Sequence, residues 1–182
     1  EKIPMSKDYQ ERHLREEIND IIVNIKKLKE ENDQKFTVKQ LEMTRKKLET
    51  KLKKLNDDFK KDNVINFEDL GIDKLYVDEA HSFKNLYLFT KMRNVAGIGQ
   101  TEALKSSDMF MKCRYMDEIT GGKGIVFATG TPVSNSMSEL YTMQRYLQFE
   151  DLKKLGLHHF DSWASTFGET TAAMELSPEG NG

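Results

Sequence analysis

Apolar residues in the first third of the chain recur at intervals of three and four positions, which places them on one face of an α-helix. The first series consists of Leu14, Ile18, Ile21, Ile22, Ile25 and Leu28. The second series consists of Leu41, Leu48, Leu52, Leu55 and Phe59. The second series follows Thr37-Val38-Lys39-Gln40, whose Thr and Gln have the spacing of a capping box at a helix N-terminus.

We therefore predict two helices of roughly 22–25 residues, each about 35 Å long, separated by a polar break at residues 31–35. Each helix has a single apolar face, so the two should pack against each other as an antiparallel hairpin.

Beyond residue 62 the pattern changes to short apolar runs separated by glycines. Residues 74–77 and 124–128 predict two strands, and the unbroken apolar run of the second is typical of a buried strand in a parallel sheet. Helices are predicted over 106–120, 136–146 and 161–167, with one helical turn over 67–70 and a loop from Gly168 onward. Ser136-Met137-Ser138-Glu139 has the form of a second capping box, and Asp161 is the predicted cap of the last helix. The order strand, helix, strand, helix predicts an α/β fold.

These patterns divide the chain into an N-terminal helical hairpin, residues 1–62, and an α/β part, residues 63–182. The 28 Lys and Arg against 30 Asp and Glu give a net charge of −2, which excludes a histone-like basic protein. No stretch approaches the roughly 20 apolar residues that cross a bilayer, so we expect no membrane segment. Cys113 is the only cysteine, which excludes a disulfide scaffold and a multi-cysteine zinc site. We expect a cytoplasmic protein and, because no Met begins the chain, a piece of a longer one.

Asp78-Glu79-Ala80-His81 follows the first predicted strand directly. In open α/β sheets, ligands bind beyond the carboxyl ends of the strands. Asp78 can hold the waters of a Mg²⁺ ion, Glu79 can orient and deprotonate the water that attacks a γ-phosphate, and His81 can relay the nucleotide state to a neighbouring loop. The alternative is an acidic strand end whose carboxylates cap the next turn.

A second motif, Ala128-Thr129-Gly130-Thr131-Pro132, follows the second predicted strand. Gly130 permits a tight turn, Pro132 ends the strand, and the hydroxyls of Thr129 and Thr131 can hydrogen-bond the acidic loop. By itself this segment could be an ordinary Gly-Pro turn. The occurrence of both motifs, in this order and each after a strand, favours a functional site.

These residues resemble superfamily 2 helicases and translocases: residues 78–81 match motif II and residues 128–132 match motif III. The similarity is greatest to the Swi/Snf-like branch, in which Lys-Asn follows motif II and Asn follows motif III, here Lys84, Asn85 and Asn135. The segments 91–94, 121–124 and 163–165 are similar to large helicase–DNA methylase proteins of phages and conjugative elements.

The resemblance implies a partial RecA-like parallel sheet flanked by helices, with the hairpin inserted, and a motor that hydrolyses ATP to move along duplex DNA. It implies that Asp78 coordinates Mg²⁺ through water and that Glu79 is the catalytic base. It also implies that His81, Thr129 and Thr131 couple hydrolysis to the DNA side. Lys84, Asn85 and Asn135 are then candidate DNA contacts, and a fused DNA methylase is an expected partner.

Motif I of this superfamily, the phosphate-binding G-x-x-x-x-G-K-[ST], is missing. The nearest string, residues 99–106, has Leu104 in place of the second glycine and lies after motif II. We expect the P-loop upstream of residue 1, and the second RecA-like lobe with its arginine finger downstream of residue 182.

Residues 35–62 contain ten Lys and Arg and five Asp and Glu. In this segment Lys47, Lys51 and Lys54 are candidate contacts for DNA phosphates. The alternatives are a solvated helix face or a docking surface for a partner protein.

Two other functions remain open from the sequence. The chain could be a non-catalytic helical interaction module of a large DNA-processing protein, or part of the motor of a restriction–modification system. A full-length reading frame with an upstream P-loop and a downstream arginine motif would favour the motor over the interaction module.

The missing P-loop gives a direct prediction for the 182-residue chain. Without the residues that hold the phosphates, it should show no measurable ATPase activity and no heat of binding when titrated with Mg-ATP by calorimetry. Binding in the micromolar range would contradict this expectation.

Overall fold

The computed structural model describes residues 3–30, 35–57, 65–92, 103–134 and 136–169. Its six helices in these ranges are α1 (Lys7–Glu30), α2 (Lys35–Asp57), α3 (Leu104–Thr120), α4 (Met137–Leu147), α5 (Phe149–Lys154) and α6 (Phe160–Phe167). Its two strands there are β1 (Leu75–Val77) and β2 (Ile125–Phe127). Short 3₁₀ helices occupy Phe67–Leu70 and Ala80–Phe83. The mixed α/β class predicted from the sequence is confirmed, although helix predominates.

Helices α1 and α2 form the antiparallel hairpin that their apolar spacing predicts. At one end Ile25 and Leu28 of α1 are buried against Leu41 of α2. At the other end the Lys7 Nζ donates a hydrogen bond of 3.2 Å to the backbone oxygen of Asn56. The start of α1 therefore lies beside the end of α2. The predicted polar break falls on residues 31–35, of which 31–34 lie outside the described part of the chain.

The predicted cap of the second helix is wrong. Helix α2 already includes Lys35, so Thr37 lies inside it, where it is 4% exposed. The side chain of Thr37 is therefore a buried part of the hairpin instead of the residue that begins the helix.

The hairpin also shares a core with the rest of the molecule. Met5 and Tyr9 are buried in one cluster with Phe67, Met111 and Met116. The Tyr9 hydroxyl donates to Glu118 Oε1 at 3.2 Å, and Arg12 Nη2 lies 2.6 Å from Glu118 Oε2.

The closed end of the hairpin is held as well, because Phe89 packs against the Ile25–Leu28–Leu41 cluster. The hairpin therefore rests on the α/β part at both ends.

The two strands are parallel neighbours, with Leu75 paired to Ile125, Tyr76 to Val126 and Val77 to Phe127. Helix α3 connects them and ends at Gly121, whose φ of 64° is the left-handed conformation that the predicted glycine stop requires.

One face of the sheet packs on a core that contains Leu86, Phe110, Cys113 and Tyr146. On the opposite face Tyr76 is 72% and Val126 44% exposed. The prediction that the second strand is buried on both faces is thus wrong for the described part of the chain, because no described element covers that face.

The C-terminal helices form a separate buried cluster, which consists of Leu88, Tyr141, Leu152, Phe160 and Trp163. Asp161 does not cap α6, whose N-cap is His159. Its carboxylate instead accepts hydrogen bonds from the Thr90 hydroxyl and, at 2.9 Å, from the Lys91 backbone N–H. Within the ranges described above, no helix combines the length and the hydropathy needed to cross a membrane.

The contact between the hairpin and residue 89 gives a stability prediction. Leu41 is 1% exposed, so Leu41→Ala should lower the free energy of unfolding by about 2–5 kcal/mol through loss of burial and an unfilled cavity. Met43, on the same helix, is 65% exposed, and Met43→Ala should change it by less than about 0.5 kcal/mol. Urea denaturation followed by circular dichroism measures both. Equal effects at the two positions would show that the hairpin is not packed as described.

Candidate functional site

The two loops that carry the sequence motifs begin at the same edge of the sheet. Because β1 and β2 are parallel neighbours, their carboxyl ends lie side by side. The backbone continues the pairing past the strands: Ala128 N donates to Val77 O at 2.8 Å and Ala80 N donates to Ala128 O at 3.1 Å. The structure thus brings together residues 78–81 and 128–131, as the sequence predicts.

The two carboxylates of the first loop are exposed between two buried residues. Val77 is 7% exposed and Ala80 is completely buried, whereas the side chain of Glu79 is 68% exposed. Asp78 Oδ1 accepts a hydrogen bond of 2.9 Å from the backbone N–H of Glu79. This turn therefore presents Asp78 and Glu79 to solvent at the end of β1.

Glu79 has an unusual backbone conformation. Its φ of 51° and ψ of 44° place it in the left-handed region, and no other non-glycine residue of the described ranges has a positive φ. Such a conformation costs about 1–3 kcal/mol and occurs most often at functional sites. The strain is what lets the chain turn sharply between Val77 and Ala80.

His81 links the acidic turn to the second loop. Its Nδ1 lies 3.1 Å from Glu79 Oε2 and 3.1 Å from Thr129 Oγ1. A proton on Nδ1 can be donated to either oxygen. The imidazole thus lies between Glu79, the candidate base, and the second loop, residues 128–134, which we call the threonine loop.

The second loop is organised by Thr129 at its start and by helix α4 at its end. Thr129 Oγ1 accepts a hydrogen bond of 3.2 Å from the backbone N–H of Thr131, which is exposed. Ser136 is the N-cap of α4, as predicted, and accepts from Ser138 N at 3.1 Å. Glu139, the other residue of the predicted capping box, accepts from Ser134 N at 2.6 Å.

Lys84 connects the two loops at a second point. Its Nζ lies 2.5 Å from Ser134 Oγ and 3.2 Å from Glu139 Oε1. The sequence offers no signal for this contact, because Glu139 has the spacing of a capping residue and Ser134 belongs to no motif. Asn85 is exposed and Asn135 lies outside the described residues. A contact of Lys84, Asn85 or Asn135 with DNA stays a prediction.

The candidate lysines of α2 lie apart from these loops. Lys47 borders a cleft of about 380 Å³ between the hairpin and the α/β part, and none of the described residues of the two loops lines this cleft. Lys51 lines a smaller cavity beside it, and Lys54 is exposed on the last turn of α2. Their contact with DNA phosphates also stays a prediction.

The cleft has a charged wall on α1. The Glu17 Oε1 lies 3.5 Å from His13 Nε2. Burial raises the pKa of Glu17, but His13, Arg145 and Lys51 together outweigh it and hold that pKa below its usual value. Lys51 and Glu17 line the same small cavity, and the charge of Lys51 favours the ionised form of this carboxylate.

Cysteine and the paired histidines lie apart from the two loops. Cys113 is completely buried, and that burial raises the pKa of its thiol well above the usual range, so it is a neutral, unreactive group. The rings of His158 and His159 contact each other at a tilt, with centroids 4.0 Å apart. Both residues line the cleft, where partial burial lowers the pKa of both.

The residues at the sheet edge fit a magnesium ion held mainly by water and phosphate oxygens. Across the described ranges no group of three or more His, Cys, Asp or Glu has the arrangement of a metal cage. Mg²⁺ needs no such cage, because it usually keeps several waters and takes one or two carboxylates together with substrate phosphates. Asp78 and Glu79 offer two exposed carboxylates of this kind.

Comparisons with known proteins indicate a helicase-related family. The sequence profile of a family described as "Probable helicase domain" matches residues 1–181. The chain is 34% identical over 107 residues to the protein "Defense against restriction protein B" of Escherichia phage P1. That alignment covers 57% of this chain and 5% of the phage protein, so the chain spans a small part of its relative. No solved structure matches the chain.

The left-handed conformation of Glu79 gives a test by stability. Glu79→Gly and Glu79→Ala both remove the carboxylate, but only glycine adopts a positive φ without strain. We expect the glycine variant to be the more stable of the two, with a free energy of unfolding about 0.5–1 kcal/mol higher than that of the alanine variant. Urea denaturation measures both values. At Asp78, whose φ is not positive, the same pair should show the opposite order, because glycine there adds only unfolded-state entropy. Alanine more stable than glycine at both positions would show that Glu79 is unstrained.

Proposed function

This chain belongs to the family described as "Probable helicase domain", and on that premise we propose that it is the part of a DNA-dependent ATPase motor that carries motifs II and III. In this proposal the α/β part is half of a RecA-like lobe of the Swi/Snf-like, DEAH-box type. ATP with Mg²⁺ is the substrate and duplex DNA is the partner.

One observation supports the proposal above the others: the acidic turn and the threonine loop meet at the carboxyl edge of a parallel sheet. The contact of His81 Nδ1 with both Glu79 Oε2 and Thr129 Oγ1, each at 3.1 Å, joins them. A strand end whose carboxylates only capped the next turn would need neither an exposed, strained Glu79 nor a histidine shared with a second loop.

Each residue of the edge has a defined role in this proposal. Asp78 binds the waters of Mg²⁺, which when present neutralises charge on the phosphates. Glu79 orients the attacking water and takes its proton at a carboxylate oxygen. His81 holds that carboxylate from the opposite side, and Thr129 and Thr131 respond to its position. Hydrolysis is in this way linked to the loop that precedes α4.

The uncovered face of the sheet supports a larger lobe. Parallel sheets are nearly always covered on both faces, yet Tyr76 and Val126 are exposed. We infer that the full-length protein supplies further strands and helices here. Among them are the P-loop that would hold the phosphates and a second RecA-like lobe across the ATP site.

The source we propose is a large mobile-element protein in which such a motor shares a chain with a DNA methylase. The similarity to a phage protein named for defence against restriction supports a mobile-element origin over the motor of a restriction–modification system. The lysines Lys47, Lys51 and Lys54, together with Asn85 and Asn135, remain the candidate DNA contacts of this proposal.

The role of Glu79 is tested in the full-length protein. Glu79→Gln keeps the shape of the side chain but removes the base, so DNA-stimulated ATP turnover should fall by about 10²–10⁴-fold. Binding of ATP, measured with a fluorescent analogue, should be retained.

Asp73→Asn is the matched control, since it makes the same carboxylate-to-amide change at the exposed opposite end of β1. Turnover at the wild-type rate in Glu79→Gln would overturn the proposed role.

A further inference from the structure

We propose that Lys84 is a positioning residue: through Ser134 and Glu139 it fixes the threonine loop against the acidic turn, and its ammonium is not a DNA contact. This inference rests on the proposed function, because Lys84 fixes the position of the loop beside Asp78 and Glu79, the residues proposed to act in ATP hydrolysis. The sequence resemblance alone places Lys84 among the candidate DNA contacts, so the two roles make opposite predictions.

The ammonium of Lys84 is already bound within the protein. Nζ lies 2.5 Å from Ser134 Oγ and 3.2 Å from Glu139 Oε1. The side chains of Lys84 and Glu139 are only 16% and 14% exposed. Ion pairs on an open surface contribute little, whereas a pair this shielded and hydrogen-bonded is costly to break. Binding of a DNA phosphate by Lys84 would leave the Glu139 carboxylate half-buried without its cation.

Glu139 joins the Lys84 contact to the start of helix α4. It lies in the first turn of α4, where the helix dipole favours a carboxylate. The same carboxylate accepts the backbone N–H of Ser134 at 2.6 Å and lies within 3.3 Å of the Ser134 hydroxyl. Lys84 is therefore tied both to the end of the threonine loop and to the start of the helix that follows.

The backbone at Lys84 is also fixed by hydrogen bonds. Lys84 ends the 3₁₀ helix that begins with Ala80, and its N–H donates to His81 O at 3.3 Å. The hydroxyl of Tyr146, which is completely buried, lies 3.0 Å from the backbone oxygen of Phe83 and 3.0 Å from that of Ser106. The backbone before Lys84 is thus anchored in the core, and its side chain spans from this anchor to the second loop.

Together with His81, Lys84 attaches the threonine loop at two points. His81 contacts Thr129 at the start of the loop and Lys84 contacts Ser134 near its end. The intervening residues 130–133 are exposed. A segment held at one end can swing away from the acidic turn, whereas one held at both ends keeps its position beside that turn. Displacing catalytic groups by about 1 Å can cost on the order of 10²-fold in rate.

The first test measures DNA-stimulated ATPase activity of the full-length protein. We expect Lys84→Met to lower kcat by about 10- to 100-fold, with the KM for ATP and the DNA concentration for half-maximal stimulation within about threefold of wild type. Lys84→Arg should restore most of kcat, and Lys123→Met, an exposed lysine in the turn before β2, should leave it unchanged. Weaker DNA binding and a smaller salt dependence in Lys84→Met, with kcat retained, would show that Lys84 is a DNA contact and overturn the proposal.

A double-mutant cycle identifies the partner. Glu139→Gln keeps an oxygen to accept the Ser134 N–H but removes the charge that Lys84 binds. The double variant, with Lys84→Met and Glu139→Gln together, should lose about as much kcat as either single variant, since both substitutions break the same contact. Additive losses would show that Lys84 does not act through Glu139.

A second measurement separates this inference from the proposed function. In the 182-residue chain, Lys84→Met should speed amide hydrogen exchange at Thr131 and Ser134, whose N–H groups donate to Thr129 Oγ1 and Glu139 Oε2, and leave exchange at α3 unchanged. Unchanged exchange at both loop residues would overturn the contact itself. A wild-type full-length protein without DNA-stimulated ATPase activity would overturn the proposed function and the catalytic part of this inference. The exchange result would still decide whether Lys84 holds the loop.

Discussion

The parallel pairing of two three-residue strands determines where every candidate catalytic group lies. Because β1 and β2 run in the same direction, the residues that follow Val77 and Phe127 leave the sheet at one edge. The hydrogen bond from Ala80 N to Ala128 O extends the pairing beyond the strands. An antiparallel pair would place the acidic turn and the threonine loop at opposite ends of the sheet. No side-chain contact between His81 and Thr129 would then be possible.

Stability and chemistry have opposite requirements at this edge. Val77 and Ala80, on either side of the turn, are buried and contribute to the core. The two residues between them gain nothing from burial, and Glu79 has a left-handed backbone that disfavours every side chain larger than that of glycine. Glycine would relieve this strain, at the cost of the contact between Glu79 Oε2 and His81 Nδ1. This strained, exposed carboxylate is one of the observations on which the proposed role of Glu79 rests.

The sequence predicted what depends on local pattern and missed what depends on distant contacts. The strands follow from apolar runs and the end of α3 follows from Gly121, because backbone geometry at these points is decided by neighbouring residues. The capping roles of Thr37 and Asp161 were wrong, since each side chain has a different environment: burial within the hairpin for one, and the Thr90 hydroxyl and Lys91 N–H for the other. Helix α5 was not predicted, because six residues are too few for helical periodicity to be recognised. The contact of Lys84 with Glu139 could not be predicted, because it joins residues of different elements that only the folded chain brings together.

The segment that follows the acidic turn also connects the N-terminal hairpin with the candidate site. Beyond Lys84 the burial of residues 86–90 alternates, with Leu86, Leu88 and Thr90 fully buried in the α/β part. The residues between them, Tyr87 and Phe89, contact the hairpin, through the Thr44 hydroxyl at 3.3 Å and through the Ile25–Leu28–Leu41 cluster.

One extended segment thus has one side in the core of the α/β part and the other against the hairpin. Its first end is the turn that presents Asp78 and Glu79, and its last residues are held by Asp161 at the start of α6. The hairpin is therefore linked to the sheet edge through this segment, by the contacts of Tyr87 and Phe89.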